Sequence, residues 1–234
     1  MRMRHRELEN ITSSGGLLSE HFISLMREDS ISFPFALPKT FRLPWSKADE
    51  ALDKKEYDRR VSQIWNELME RWDLYGYGKL QKMSPEEARS RWTGPLLEAL
   101  GFELVSTPKH IEISDTQKFR FSHRGWIASS DNGKPPVVHI VPPTQDLDDR
   151  SDKGLPSPHD ALQAFLNVNE DKWGLVTNGL YLRLLRDYYH TYTKGYVEFD
   201  LDAIFLTRSF SDFRRSTGWL TPAGSCLRTR ARFT

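Results

Sequence analysis

The chain reads as an α+β protein, a mixed sheet flanked by helices and preceded by a helical arm. Three observations predict this class. The charged stretch from Ser46 to Tyr75 keeps its apolar residues on one helical face. Short β-like runs crowd the chain after Gly101. A further helical run, His159 to Asn167, precedes a strand–turn–strand pattern about Asn178-Gly179. At 234 residues the chain has room for one principal core with an attached arm.

Taken in order, a basic start (Arg2, Arg4, Arg6) leads to Ser13-Ser14-Gly15-Gly16. Leu17, Leu18, Phe22, Ile23, Leu25 and Met26 then recur at helical spacing and predict a short helix. Phe33 to Trp45 carries Pro34, Pro38 and Pro44, which forbid a continuous helix or a central strand, so residues 1–45 read as a helix and a proline-rich connector. From Ser46, the residues Leu52, Tyr57, Val61, Ile64, Trp65, Leu68 and Trp72 share one face of a long amphipathic helix that ends at Gly76 and Gly78. Ser84-Pro85-Glu86-Glu87 starts a second helix, with a capping serine, a first-turn proline and acids at the positive end of the dipole; it reaches Leu100.

Strands are predicted at Phe102 to Val105, Ile111 to Ser114, Lys118 to Ser122 and Val137 to Val141, with a turn-rich loop from Ala128 to Pro136. Pro142 to Pro158 is polar and expected to be mobile. After the His159 to Asn167 helix, Trp173 to Asp187 predicts a hairpin whose two turn residues, Asn178 and Gly179, tolerate positive φ. Tyr196 to Leu201 adds a strand, and Leu201 to Leu206 a helical turn.

Composition excludes several classes. Charged residues make up 28% and hydrophobic ones 38%, too mixed a balance for a disordered chain. The net charge of +1 supplies no global field, so any contact with nucleic acid has to come from a local patch. Cys226 is the single cysteine, which excludes an internal disulfide and a cysteine-rich zinc site and suits a reducing cytoplasm, the expected location. No stretch approaches the roughly 18 apolar residues of a membrane span, so no membrane association is expected.

The runs Ala161-Leu-Gln-Ala-Phe-Leu-Asn167, Trp173-Gly-Leu-Val-Thr-Asn-Gly-Leu-Tyr-Leu-Arg-Leu-Leu-Arg-Asp187 and Tyr196-Val-Glu-Phe-Asp-Leu201 carry a resemblance. So do Arg91-Trp92, Leu96 to Phe102, Phe121-Ser122-His123-Arg124 and Val138-His139-Ile140-Val141. In this order, across Gly15 to Phe213, they resemble the N-terminal region of large DNA adenine methyltransferases of restriction-modification and anti-phage systems, including DISARM-like clusters. The resemblance implies a degenerate restriction-endonuclease-like domain over residues 46–213, a mixed sheet between helices with the Thr-Asn-Gly hairpin near its end. It also implies double-stranded DNA and other defence-system subunits as partners. S-adenosylmethionine is the implied cofactor of the full-length relative and not of this chain.

A nuclease of that fold needs an acidic residue near one strand and Glu/Asp-x-Lys on the next, to hold Mg²⁺ and activate water. The strand expected to carry the second motif reads Val137-Val-His-Ile-Val-Pro-Pro143. Glu112 and Asp115 are acids nearby but have no matching lysine, and they read as a solvated edge. Adenine methylation needs an Asn/Asp-Pro-Pro-aromatic motif and a glycine-rich loop; Pro142-Pro143 lacks the flanking residues, and Gly15-Gly16 lacks a preceding strand. His123, His139 and His159 match no zinc spacing. No catalytic, cofactor or metal residue is therefore assigned. The candidate DNA contacts are Arg120, His123, Arg124, Asn178, Arg183 and Arg186, set against the plainer reading that alternating arginines mark the solvent face of a strand.

Resemblance stops after Ser211-Asp212-Phe213-Arg214-Arg215, and Ser216 to Thr234 is rich in arginine, including Arg228, Arg230 and Arg232. A shift of one nucleotide permits a family-like continuation. Residues 214–234 are accordingly expected to be a frameshifted, disordered basic tail, with a natural nucleic-acid-binding or acid-binding tail as the other reading. The function expected is that of a non-catalytic N-terminal module that assists DNA engagement or subunit assembly. The alternatives are a metal-dependent endonuclease and a protein-interaction scaffold without DNA affinity.

Overall fold

The computed structural model describes residues 10–17, 54–107, 111–112, 118–127, 136–150, 154–169, 171, 173–186 and 194–220. Among these, β1 (Ile11–Ser14), β2 (Phe102–Ser106), β5 (His123–Ile127), β6 (Val137–Ile140), β7 (Trp173–Thr177), β8 (Tyr181–Arg186) and β9 (Tyr196–Asp200) form a seven-stranded sheet. Its order is β1-β9-β8-β7-β6-β5-β2, and β3 (Ile111–Glu112) pairs separately with β4 (Lys118–Phe119). The helices are α1 (Lys54–Tyr75), α2 (Pro85–Ala88), α3 (Gly94–Ala99), α4 (Pro158–Val168), α5 (Leu201–Leu206) and α6 (Phe210–Leu220). The protein is thus α+β, with a mixed sheet.

Neighbouring strands of the large sheet are antiparallel except β6 and β7, which run parallel with Val137 opposite Gly174 and Ile140 opposite Thr177. Parallel neighbours need a crossover, and α4 supplies it. Side chains alternate across the strands, so Val138, Ile140 and Leu175 join one core while Val137, Val176 and Leu185 join another. The first core packs the sheet against α1, α3 and α5 around Trp72, Trp92 and Phe205, with ring centroids 5.0 Å apart for the two tryptophans. The second packs it against Leu162, Phe165 and Leu166 of α4. Gly174 lets α4 lie close to β7, because a Cβ there would stand 2.9 Å from Leu162.

Serine capping of the second helix holds: the Ser84 hydroxyl accepts from the Glu87 amide at 3.2 Å, and the Glu87 carboxylate accepts from the Ser84 amide at 3.3 Å. That helix is interrupted by a π turn at Arg89–Thr93. Pro95 has no N–H to donate to the carbonyl four residues back, so the ladder loosens just ahead of it, and the Gly94 amide reaches Arg89 instead.

Several expectations require correction. Ser13-Ser14, expected only as the lead into a helix, ends a strand, β1, which lies on the β9 edge with Ile11 opposite Phe199. The expected helix from Leu18 to Met26, the connector Phe33 to Trp45 and most of the Ala128 to Pro136 loop fall outside the described residues. Strand Lys118 to Ser122 shrinks to β4, and β5 of the large sheet begins only at His123. Ser122 marks the break because its hydroxyl stands in for the ladder, accepting from the Ile140 amide at 2.7 Å and donating to the Val138 carbonyl at 3.1 Å.

The described part of the polar segment after Pro142 packs on the fold. Leu147 is buried, and its carbonyl accepts from the His159 amide at 3.0 Å. Finally, α6 runs through the boundary expected after Phe213: Arg214 pairs with Asp58 of α1 at 2.7 Å, and Ser216 and Thr217 are buried. Residues 221–234 of the expected tail lie outside the described residues.

Candidate functional site

The face of the sheet that carries α4 holds two features, a cleft and an ion network. The cleft, about 820 Å³, opens at the carboxyl end of β6, beside the start of α4. Phe119, Phe121 and His139 form an aromatic wall, with the Phe121 and His139 rings edge-on at 5.3 Å. Pro142, Pro156 and Pro158 contribute flat apolar faces, Gln145 an amide and Arg120 a guanidinium. Burial, and then the neighbouring His123, push His139 down to about 4, so its ring is neutral near pH 7. The amides at the start of α4 are already engaged: His159 donates to Leu147, Asp160 to the Ser157 hydroxyl and Ala161 to the Ser157 carbonyl. That leaves Arg120 as the charged group of the cleft among the described residues.

The ion network centres on Arg183, which is 7% exposed. Its guanidinium donates to Glu198 at 2.5 Å and to Asp148 at 2.7 Å, and lies 4.5 Å over the Tyr196 ring. It also faces His159 Nδ1 at 3.4 Å; arginine can only donate, so Nδ1 accepts and the ring proton sits on Nε2. Lys194 bridges Asp148 at 2.8 Å and Asp160 at 3.0 Å. Burial works against the charge of Arg183, but its bonds to Asp148 and Glu198 outweigh that and raise its pKa above the usual range. The bond from Arg183, aided by Lys194, holds Asp148 well below the usual carboxylate range. His159 falls to about 4 through burial and the nearby cations Lys194 and Arg183. The network ties β8, β9, α4 and the segment after Pro142 into one unit.

The six candidate DNA contacts are not brought together. Arg120 is exposed at the cleft. His123 is buried at the start of β5 on the opposite face, its pKa lowered by burial and then by Arg89. Arg124 pairs with buried Asp171 at 3.0 Å. Asn178 is turned inward: its Oδ1 accepts from the amides of Leu180 at 3.0 Å and Tyr181 at 2.9 Å, and its Nδ2 donates to the Gln145 carbonyl at 3.0 Å. Arg183 lies in the network and not on a solvent face. Arg186 is exposed with its guanidinium 5.4 Å from the Trp173 ring, at the amino end of β7 and so at the other end of the sheet from Arg120.

Sequence reasoning missed Asp148, Lys194 and Glu198, because nothing in their local pattern distinguishes them from solvated charges. Ser157 caps α4 and fixes where Asp160 stands; Ser157-Pro158 falls in the expected polar segment, although Ser-Pro-x-Asp is a helix-start signal that could have found it. Among the described residues no group of three or more His, Cys, Asp or Glu is placed to hold a metal ion, and no helix is long and apolar enough to cross a membrane.

No family model matches the chain, and searches of curated proteins and of solved structures return no match.

Proposed function

We propose that the chain is a non-catalytic N-terminal module of a restriction-modification or anti-phage DNA adenine methyltransferase, assisting DNA engagement or subunit assembly. The observation that carries this reading is the order of elements: a capped helix ending at α3, the antiparallel set β2-β5-β6, the crossover α4, parallel β7 and the hairpin of Thr177-Asn178-Gly179. A mixed sheet with helices on both faces, closing on that hairpin, is what the resemblance to a degenerate restriction-endonuclease-like domain calls for. The sequence of β6 supports the non-catalytic part, since Val137-Val-His-Ile140 offers neither carboxylate nor lysine.

Double-stranded DNA is the expected partner, and fluorescence-anisotropy titration of the whole chain with a labelled 30-base-pair duplex at several salt concentrations tests it. Binding that weakens linearly in log–log form with salt supports the reading, and Arg186→Ala is expected to reduce the slope by about one. Absence of any salt-dependent binding favours an interaction scaffold instead. Plasmid nicking in Mg²⁺ that Glu112→Ala abolishes would overturn the non-catalytic assignment.

A further inference from the structure

We infer that the cleft at the carboxyl end of β6 is a site for one unpaired nucleotide, its base against Phe119 and His139, which the buried Phe121 backs, and its phosphate at Arg120. The inference stands on the cleft alone and survives if duplex binding fails. Four features of the lining select this chemistry.

First, the cleft falls within the size range of small-ligand sites, and it sits outside the carboxyl end of one strand of the parallel β6–β7 pair, where open sheets with crossover helices place ligands. Second, its walls are aromatic and prolyl, and such surfaces hold planar rings by stacking without reading their identity. The half-buried Phe119 is braced edge-on by Phe165 at 5.5 Å, so its ring is held in place before any ligand arrives.

Third, charge is distributed for an anion with a neutral planar head. Among the described residues Arg120 is exposed, makes no ion pair and shares the lining with no carboxylate. The Arg183 guanidinium, by contrast, is buried and its charge is offset by Asp148 and Glu198. Neutral His139 keeps the wall itself free of charge. Fourth, Gln145 adds an amide with both donor and acceptor, suited to a base edge. A purely apolar ligand would leave Arg120 and Gln145 unused, and a simple anion would leave the aromatic wall unused.

The nucleotide could be free or part of a single strand, and the two sources are separated by probe. The whole chain is titrated calorimetrically with dAMP and with deoxyadenosine, and by fluorescence anisotropy with a labelled single-stranded 12-mer. Binding of dAMP that exceeds binding of deoxyadenosine, and that Arg120→Ala reduces about ten-fold, is the expected result. Phe119→Ala is expected to weaken both mononucleotide and strand about ten-fold. Ala161→Phe, which adds a ring at the cleft lining on α4, is expected to block the site. Tighter binding of the 12-mer than of dAMP assigns the site to a strand, and the reverse assigns it to a free nucleotide. The inference is overturned if neither probe binds at millimolar concentration, if dAMP and deoxyadenosine bind equally, or if Ala161→Phe leaves binding intact. Circular dichroism of each variant separates loss of the site from loss of the fold.

Discussion

Arg183 shows how far a residue's role can lie from its local pattern. In Tyr181-Leu-Arg-Leu-Leu-Arg186 it occupies a position that alternation assigns to solvent, yet it is buried between Asp148 and Glu198. The partners come from β9 and from a segment 35 residues upstream, so no local window contains the reason. Arg183→Met is expected to destabilise by about 3 kcal/mol, because two carboxylates lose the cation that offsets their desolvation. Urea unfolding at pH 7 measures it, and adding Asp148→Asn and Glu198→Gln should recover part of the loss. If Arg183→Met alone costs nothing, the network does not hold the sheet to its covering segment. Asn178 has a similar history: the turn-forming residue was legible, but its Oδ1 serves its own turn and its Nδ2 the Gln145 carbonyl, so nothing remains for a base.

At the scale of elements, long periodic segments were legible and pairings were not. The apolar face of α1, the cap of α2 and the β7–β8 hairpin follow from local spacing, whereas β1 exists because the β9 edge accepts it. The hairpin differs in its turn. Gly179 has φ 86° and Leu180 is not in the positive region; with Thr177 opposite Leu182, Gly179-Leu180 are the central residues and positive φ is needed at the first alone. The tip is clamped by the π turn, where the Trp92 indole donates to the Gly179 carbonyl at 2.7 Å. A Cβ at Gly179 would stand 2.8 Å from Thr93 Oγ1. Gly179→Ala therefore combines backbone strain with a clash and should cost about 2 kcal/mol or more, by chemical denaturation. Trp92→Phe orphans the carbonyl and leaves a cavity in place of part of the buried indole, for about 2 kcal/mol. Near-neutral results for both would mean that the tip is not clamped.

For the whole molecule, the question is what holds the layers on either side of the sheet. On one side α1 meets α6 through hydroxyls. The Thr217 hydroxyl donates to the Arg214 carbonyl at 2.7 Å, so Tyr57 supplies the proton between Tyr57 Oη and Thr217 Oγ1 at 3.0 Å. A Tyr57→Phe, Thr217→Val double-mutant cycle should show coupling of about 1 kcal/mol, and strict additivity would mean that the two hydroxyls do not interact, leaving the Arg214–Asp58 pair and the Trp65–Phe213 contact to hold α6. On the other side the α4 layer is sensitive to acid. His139 and His159 both fall from an ordinary 6.5 to about 4 when folded, chiefly through burial. Between those limits the unfolded chain binds protons that the folded chain refuses, so stability rises with pH across the window and is lost as pH falls through it. Above 6.5 neither histidine contributes. Each is expected to remove on the order of 2 kcal/mol by pH 4, with losses at Asp148 setting in as pH falls through the ordinary carboxylate value, where the unfolded chain takes up a proton that the folded chain refuses. Melting temperature measured from pH 7.5 to 4 should therefore begin to drop near 6.5, well above the range in which carboxylates titrate. His139→Phe should flatten part of the early drop, to which buried His123 also contributes, while leaving the neutral-pH value nearly unchanged. A profile flat down to pH 4.5 would show that both imidazoles are open to water and that α4 does not seal its face of the sheet.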